Sequence, residues 1–115
     1  MYTRALLLFA TAITVTACAE SRLPTPTDPI SAAIAGRTLL ADPSAFTIGA
    51  DGSLTGSVGV TNFIGTWEVR DGQYCRTYTL APSDFLGTKC LPTELGDGTI
   101  TLVDLNGPVT YEIRQ

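Results

Sequence analysis

A chain of 115 residues with seven Lys and Arg against eleven Asp and Glu carries a formal charge of −4. It contains no histidine and three cysteines. This inventory excludes a Ser-His or Cys-His nucleophile pair and any histidine-bearing zinc set, and it argues against nucleic acid as a partner, because phosphate contacts need clustered Lys or Arg.

Residues 1–17 have the parts of an export signal: Arg4 as the only charge, an apolar run from Ala5 to Val15, and small residues at the end. That run falls short of the roughly 20 apolar residues needed to span the ~30 Å hydrocarbon layer, so a retained transmembrane helix is the poorer reading. Val15-Thr16-Ala17-Cys18 resembles a bacterial lipobox. The resemblance implies cleavage before Cys18, diacylglycerol on its thiol and a further acyl chain such as palmitate on its amine. Several acyl chains hold a protein firmly, because each buried CH₂ contributes ~0.8 kcal/mol and one chain alone is marginal. The alternative is cleavage after Ala17-Cys18-Ala19, which would release a soluble periplasmic or secreted protein.

The chain then divides into a signal peptide over 1–17, a lipidated Cys18 with a proline-rich tether over 18–29, and a single β domain over 30–115. In the tether, Pro24, Pro26 and Pro29 alternate with small polar residues. Such a segment favours extended polyproline II at ~3.1 Å per residue, so ten residues make a spacer of ~30 Å; a peptide-ligand role for the prolines is the other reading. Next come helix signals. Asp28 suits a cap, Pro29 the first helical position and Gly36 the stop, with Ile30, Ala33 and Ile34 on one face, which predicts a short helix packed on the end of a sheet.

Beyond Gly36 no 3.6-residue period persists. Asp51-Gly52, Asp71-Gly72, Asp97-Gly98 and Asn106-Gly107 each sit between β-branched or aromatic residues. Such dipeptides signal hairpins, because a type I′ turn needs positive φ at both central residues. The expected strands are 37–41, 45–50, 53–59, 63–70, 73–80, 87–91, 98–104 and 108–114. The predicted fold class is therefore all-β: a small antiparallel eight-stranded meander closing into a barrel or tight sandwich, with a short N-terminal helix.

The densest local pattern is Gly65-Thr66-Trp67-Glu68-Val69-Arg70-Asp71-Gly72-Gln73-Tyr74-Cys75-Arg76. A two-residue turn at Asp71-Gly72 sets Arg70 opposite Gln73, Val69 opposite Tyr74, Glu68 opposite Cys75 and Trp67 opposite Arg76. Alternation places Trp67, Val69, Tyr74, Arg76 and Tyr78 on one face, where the Arg76 guanidinium would cover the Trp67 ring. Trp67, Tyr74, Arg76 and Tyr78 thus form either core and barrel-end closure or a ligand-contacting cluster. With Cys18 assigned to lipid, Cys75 and Cys90 remain as an even pair in an oxidising compartment, which predicts a disulfide. Closing a loop of about 15 residues, it would contribute ~3 kcal/mol on the chain-entropy model. Two cysteines without histidine do not form a metal site, and no cofactor is implied.

Gly65-Thr66-Trp67 resembles the Gly-x-Trp of lipocalin-like and avidin-like barrels, where the Trp packs near a barrel end, often against an Arg. In lipocalins the motif lies on the first strand; here two or three strands precede it. Over about residues 36–114 the chain is also similar to small exported proteobacterial proteins with a Gly-x-Trp, a Tyr-Cys-Arg and a later Cys, some labelled dihydrodipicolinate reductase. The chain lacks Gly-x-Gly-x-x-Gly after a strand and any βαβ pattern, so that label does not carry over. A third resemblance is to periplasmic inhibitors of secreted metalloproteases, small eight-stranded barrels that insert an N-terminal segment into the protease cleft. It implies that role for Ser21-Arg22-Leu23-Pro24, although the Cys75 to Cys90 spacing is short for that family.

A serine with Lys89, the only lysine, or a pair of carboxylates would be the remaining catalytic options, and no spacing singles any out. The expected function is a non-enzymatic binding or interaction module, anchored to the membrane through Cys18 and facing the periplasm, with the inner leaflet of the outer membrane favoured. Its partner would be an envelope protein. The alternatives are a periplasmic protease inhibitor and a binder of a small hydrophobic ligand.

Overall fold

The structure is a computed structural model that describes residues 28–115. The signal segment, the lipobox with Cys18, the Ser21–Pro24 segment and all but the last residues of the tether lie outside the described residues. The elements, in chain order, are α1 (Pro29–Ile34), β1 (Arg37–Ala41), β2 (Ser44–Ile48), β3 (Ser53–Val58), β4 (Thr61–Arg70), β5 (Gln73–Leu80), a 3₁₀ turn (Ser83–Phe85), β6 (Gly87–Leu91), β7 (Thr93–Leu95), β8 (Thr99–Asp104) and β9 (Gly107–Arg114).

α1 forms for the reasons its sequence announces. The Asp28 side chain accepts a hydrogen bond from the Ser31 N–H at 2.6 Å, Pro29 opens the helix, and Gly36 leaves it at φ +77°. Desolvation opposes ionisation of Asp28, but the hydrogen bonds from Ser31 outweigh it and hold the carboxyl below its ordinary range. Six residues make too short a helix to stand alone. Its stability comes from Ile30 and Ile34, both buried against the sheet.

Nine antiparallel strands form one sheet in the order β6-β5-β4-β3-β2-β1-β9-β8-β7, curled into a nearly closed barrel. Apart from β6 and β7, which form the two edges, each strand pairs with its neighbours in sequence, β9 returns to pair with β1, and the two ends of the sheet are joined in the chain through Pro92. The sequence reading expected eight strands. The ninth arises because Pro92, which has no N–H, interrupts what would have been a single strand leaving Leu91. At this seam the Thr93 hydroxyl donates to the Leu91 carbonyl at 2.8 Å and accepts from the Tyr74 N–H at 3.0 Å, while Val103 N–H donates to the Pro92 carbonyl at 3.1 Å. Side-chain and stray backbone bonds thus bridge the break in the ladder.

The hairpin of β4 and β5 has the expected register: Trp67 opposite Arg76, Glu68 opposite Cys75, Val69 opposite Tyr74, and Arg70 opposite Gln73. Its turn is the only one of the four with positive φ at both residues, Asp71 at 51° and Gly72 at 77°. In the other three only the glycine is left-handed: Gly52 and Gly98 return the chain in longer connections, and Gly107 opens β9 directly after the two-residue loop Leu105-Asn106. At Asp51 the side chain instead accepts from the Ser53 N–H and hydroxyl, which lowers its pKa. Cys75 and Cys90 are direct register partners on β5 and β6 and are joined by a disulfide.

The barrel has two unlike ends. α1, the β2–β3 and β4–β5 turns and the β7–β8 turn lie at one; the β1–β2, β3–β4, β5–β6 and β8–β9 connections lie at the other. Toward the first end, Ile34, Ile48, Leu54 and Ile100 are fully buried. We call this the closed end.

Candidate functional site

Trp67 anchors the closed end. Its indole N–H donates to the Gly49 carbonyl at 2.8 Å, its backbone N–H donates to the Gly52 carbonyl at 3.0 Å, and its ring stacks on Tyr74 with centroids 6.4 Å apart. Both polar bonds tie β4 to the β2–β3 turn. Gly65 makes room for this hairpin: a Cβ there would collide with the Thr77 backbone, at a register shift between β4 and β5.

The Arg76 guanidinium does not cover Trp67, as expected from sequence, although the two residues are register partners. It turns toward the other end and lies over the rings of Tyr78, at 4.7 Å, and Phe85, at 5.6 Å. The cause is a better set of acceptors there. One terminal nitrogen donates to the Phe85 carbonyl at 2.9 Å and the Gly87 carbonyl at 3.5 Å; the other donates to both Asp104 oxygens at 3.0 and 3.1 Å. Arg76 is only 2% exposed. An arginine so buried requires a matched carboxylate, which Asp104 supplies from β8. Its Nε alone has no hydrogen-bond partner.

Above this ion pair the barrel is hollow. A cavity of about 300 Å³ opens at the second end, walled by Phe46, Phe63, Tyr78, Phe85 and Tyr111, with Val58 and Val109 between them and Ser44, Thr61, Asn106 and Asp104 among its polar lining. The rings pack edge to face, Phe46 with Phe63 at 5.7 Å, Phe63 with Phe85 at 5.7 Å and Phe46 with Tyr111 at 6.1 Å. Gly56 is required by this wall, because a Cβ on it would run into the Phe46 ring. Beneath lies a void of about 30 Å³ lined by Tyr74, Arg76 and Leu91 among others. Burial pushes the Tyr78 phenol above the ordinary tyrosine range, although Arg76 pulls it down; Tyr111 is pushed up by burial and then by the Asp104 charge. Both phenols therefore stay protonated and neutral across the physiological range.

Of the seven exposed large hydrophobic side chains among the described residues, Val60, Leu86 and Leu105 stand on the loops at this end, while Ile64, Leu80 and Val103 lie on β4, β5 and β8 outside the cavity lining. Val60 is 99% exposed. Leu95 lies toward the closed end.

The four residues singled out in sequence are thus divided. Trp67 and Tyr74 belong to the closed end and its core, Tyr78 walls the open cavity, and Arg76 with Asp104 forms the boundary. Sequence reasoning missed Phe46, Phe63, Phe85, Tyr111 and Asp104. Alternation along β2, β4 and β9 carried a signal for three of them. Phe85 stands in a 3₁₀ turn without periodicity, and Asp104 meets Arg76 across 28 residues. Among the described residues no three His, Cys, Asp or Glu side chains gather around a common point for a metal ion. No family model, curated protein or solved structure matches the chain.

Proposed function

We propose that the chain is a lipid-anchored cell-envelope β domain that acts by binding, without catalysis, and that it captures an apolar group in the open end of its barrel. The observation that carries this reading is the aromatic cavity of about 300 Å³ with its exposed apolar rim. Ligand sites are concave, mostly apolar and furnished with a few polar groups, and a cavity of this size is at the small end of their range. Exposed apolar side chains concentrated around one opening mark an interaction surface, whereas scattered ones do not. An envelope partner would insert a side chain or a bound small molecule there and cover the rim. The described chain enters the barrel through α1 at the closed end, which supports a reading in which an anchor on Cys18 leaves the opening accessible from the periplasm.

Two experiments test the two halves of the reading. Titration of benzyl alcohol into the full-length chain, followed by aromatic carbon NMR, should move Phe46, Phe63, Phe85 and Tyr111 and leave Trp67 in place. Shifts confined to Trp67, or none, would remove the cavity from the proposal. Labelled palmitate should enter the wild type and not Cys18→Ser; an unlabelled wild type would remove the anchor.

A further inference from the structure

Resting on the reading of the open cavity as the binding site, the geometry points to a ligand that is an apolar amine: an aromatic or aliphatic body carrying an ammonium group, which donates to Asp104. Asp104 is the one charged residue that lines the cavity, and its side chain is 25% exposed. Its oxygens accept two bonds from Arg76 and one from the Leu105 N–H at 2.8 Å. A carboxylate offers about four lone-pair sites, so one acceptor position remains for an incoming donor.

An anionic ligand has no equivalent partner. Arg76 does not line the cavity, and its terminal nitrogens are already committed to Asp104, Phe85 and Gly87. Its unpartnered Nε belongs to a buried side chain that reaches only the smaller void beneath. Lys89 is exposed on β6, level with Arg76 and outside the cavity lining. The loops at the opening carry Asp42 and Asp84, both exposed, which adds negative potential at the mouth. Aromatic walls suit a cation as well as an apolar body, because the ring faces attract positive charge.

The test is a matched series of benzylamine, benzyl alcohol and phenylacetate, titrated into the full-length chain in nanodiscs with empty nanodiscs as the blank. Shifts of the Phe46, Phe63 and Tyr111 rings give the affinities. Benzylamine should bind at least about tenfold more tightly than phenylacetate, with benzyl alcohol between them. Asp42→Asn with Asp84→Asn, on exposed loops outside the core, should weaken benzylamine about two- to threefold and leave benzyl alcohol unchanged. Equal affinity for all three compounds would overturn the amine assignment and leave the apolar site standing. Preference for phenylacetate would overturn it in favour of an anion site, and failure of benzyl alcohol itself to shift the rings would sink the binding site on which the assignment rests.

Discussion

The closed and open ends of this barrel are built from the same kinds of residue and put them to opposite uses. At the closed end Trp67 has its indole N–H bonded to Gly49, its ring stacked on Tyr74, and a helix laid across the opening with Ile30 and Ile34 buried. At the open end Phe46, Phe63, Phe85 and Tyr111 pack against one another around empty space, and Val60, Leu86 and Leu105 project into solvent. Phe46 and Phe63 are buried and belong to the core as well as to the cavity wall, so they stabilise the fold on one side and face the cavity on the other, whereas Val60, Leu86 and Leu105 leave apolar surface uncovered and available to a partner. The Arg76–Asp104 pair divides the two regions.

The largest effect should come from breaking that divide. Asp104→Ala leaves the Arg76 charge buried without a partner and should cost about 3–5 kcal/mol in urea unfolding. Arg76→Met combined with Asp104→Leu should recover much of the loss, since apolar replacement of a buried pair is often close to neutral. If the single variant melts like the wild type, the pair is not the structural floor of the cavity. Trp67→Ala tests the closed end and should cost about 3–5 kcal/mol, whereas Trp67→Phe, which keeps a ring and loses the bond to Gly49, should cost about 1 kcal/mol plus a small packing loss.

Reduction of Cys75–Cys90 should cost about 3 kcal/mol, seen as a lower midpoint with reductant present. A smaller effect is expected at high pH. Burial raises the phenols of Tyr74, Tyr78 and Tyr111, so the folded state disfavours their ionisation. A group whose folded pKa lies above its unfolded value contributes stability that is complete below the unfolded pKa and declines as pH rises beyond it. Stability should therefore hold up to about pH 10 and fall above it. Ultraviolet titration of the native protein should show these phenolates appearing later than in the denatured chain. Val60→Ser should change stability by no more than about 0.5 kcal/mol while weakening any contact made at the open end.

What could be read in advance follows the range of each interaction. The Asp28 cap, the short helix, the pairing across Asp71-Gly72 and the Cys75–Cys90 disulfide depend on neighbours in sequence or on the arithmetic of a closed pair. All were legible. The three-residue strand Thr93–Leu95 was not, because so short a segment after Pro92 has no period to detect, and its pairing is decided by β8 alongside it. The partner of Arg76 was hidden for a related reason: alternation shows that the arginine faces inward, and only closure of the barrel shows that Asp104 waits there. The same closure assembles the cavity from β2, β4, β5, β9 and the turn at Phe85.

The comparison of the two ends is tested most directly by site-specific photo-cross-linking in the native envelope, with the probe residue placed at Val60 or Leu105 on the open end and at Leu95 toward the closed end. All three positions are exposed and apolar, Val60 at 99%, Leu105 at 49% and Leu95 at 36%, so Leu105 against Leu95 is the comparison best matched in accessibility. The account predicts a discrete adduct from Val60 and Leu105, reduced by excess benzyl alcohol, and none from Leu95. An adduct from Leu95 alone, or equal adducts from all three that benzyl alcohol does not affect, would contradict it.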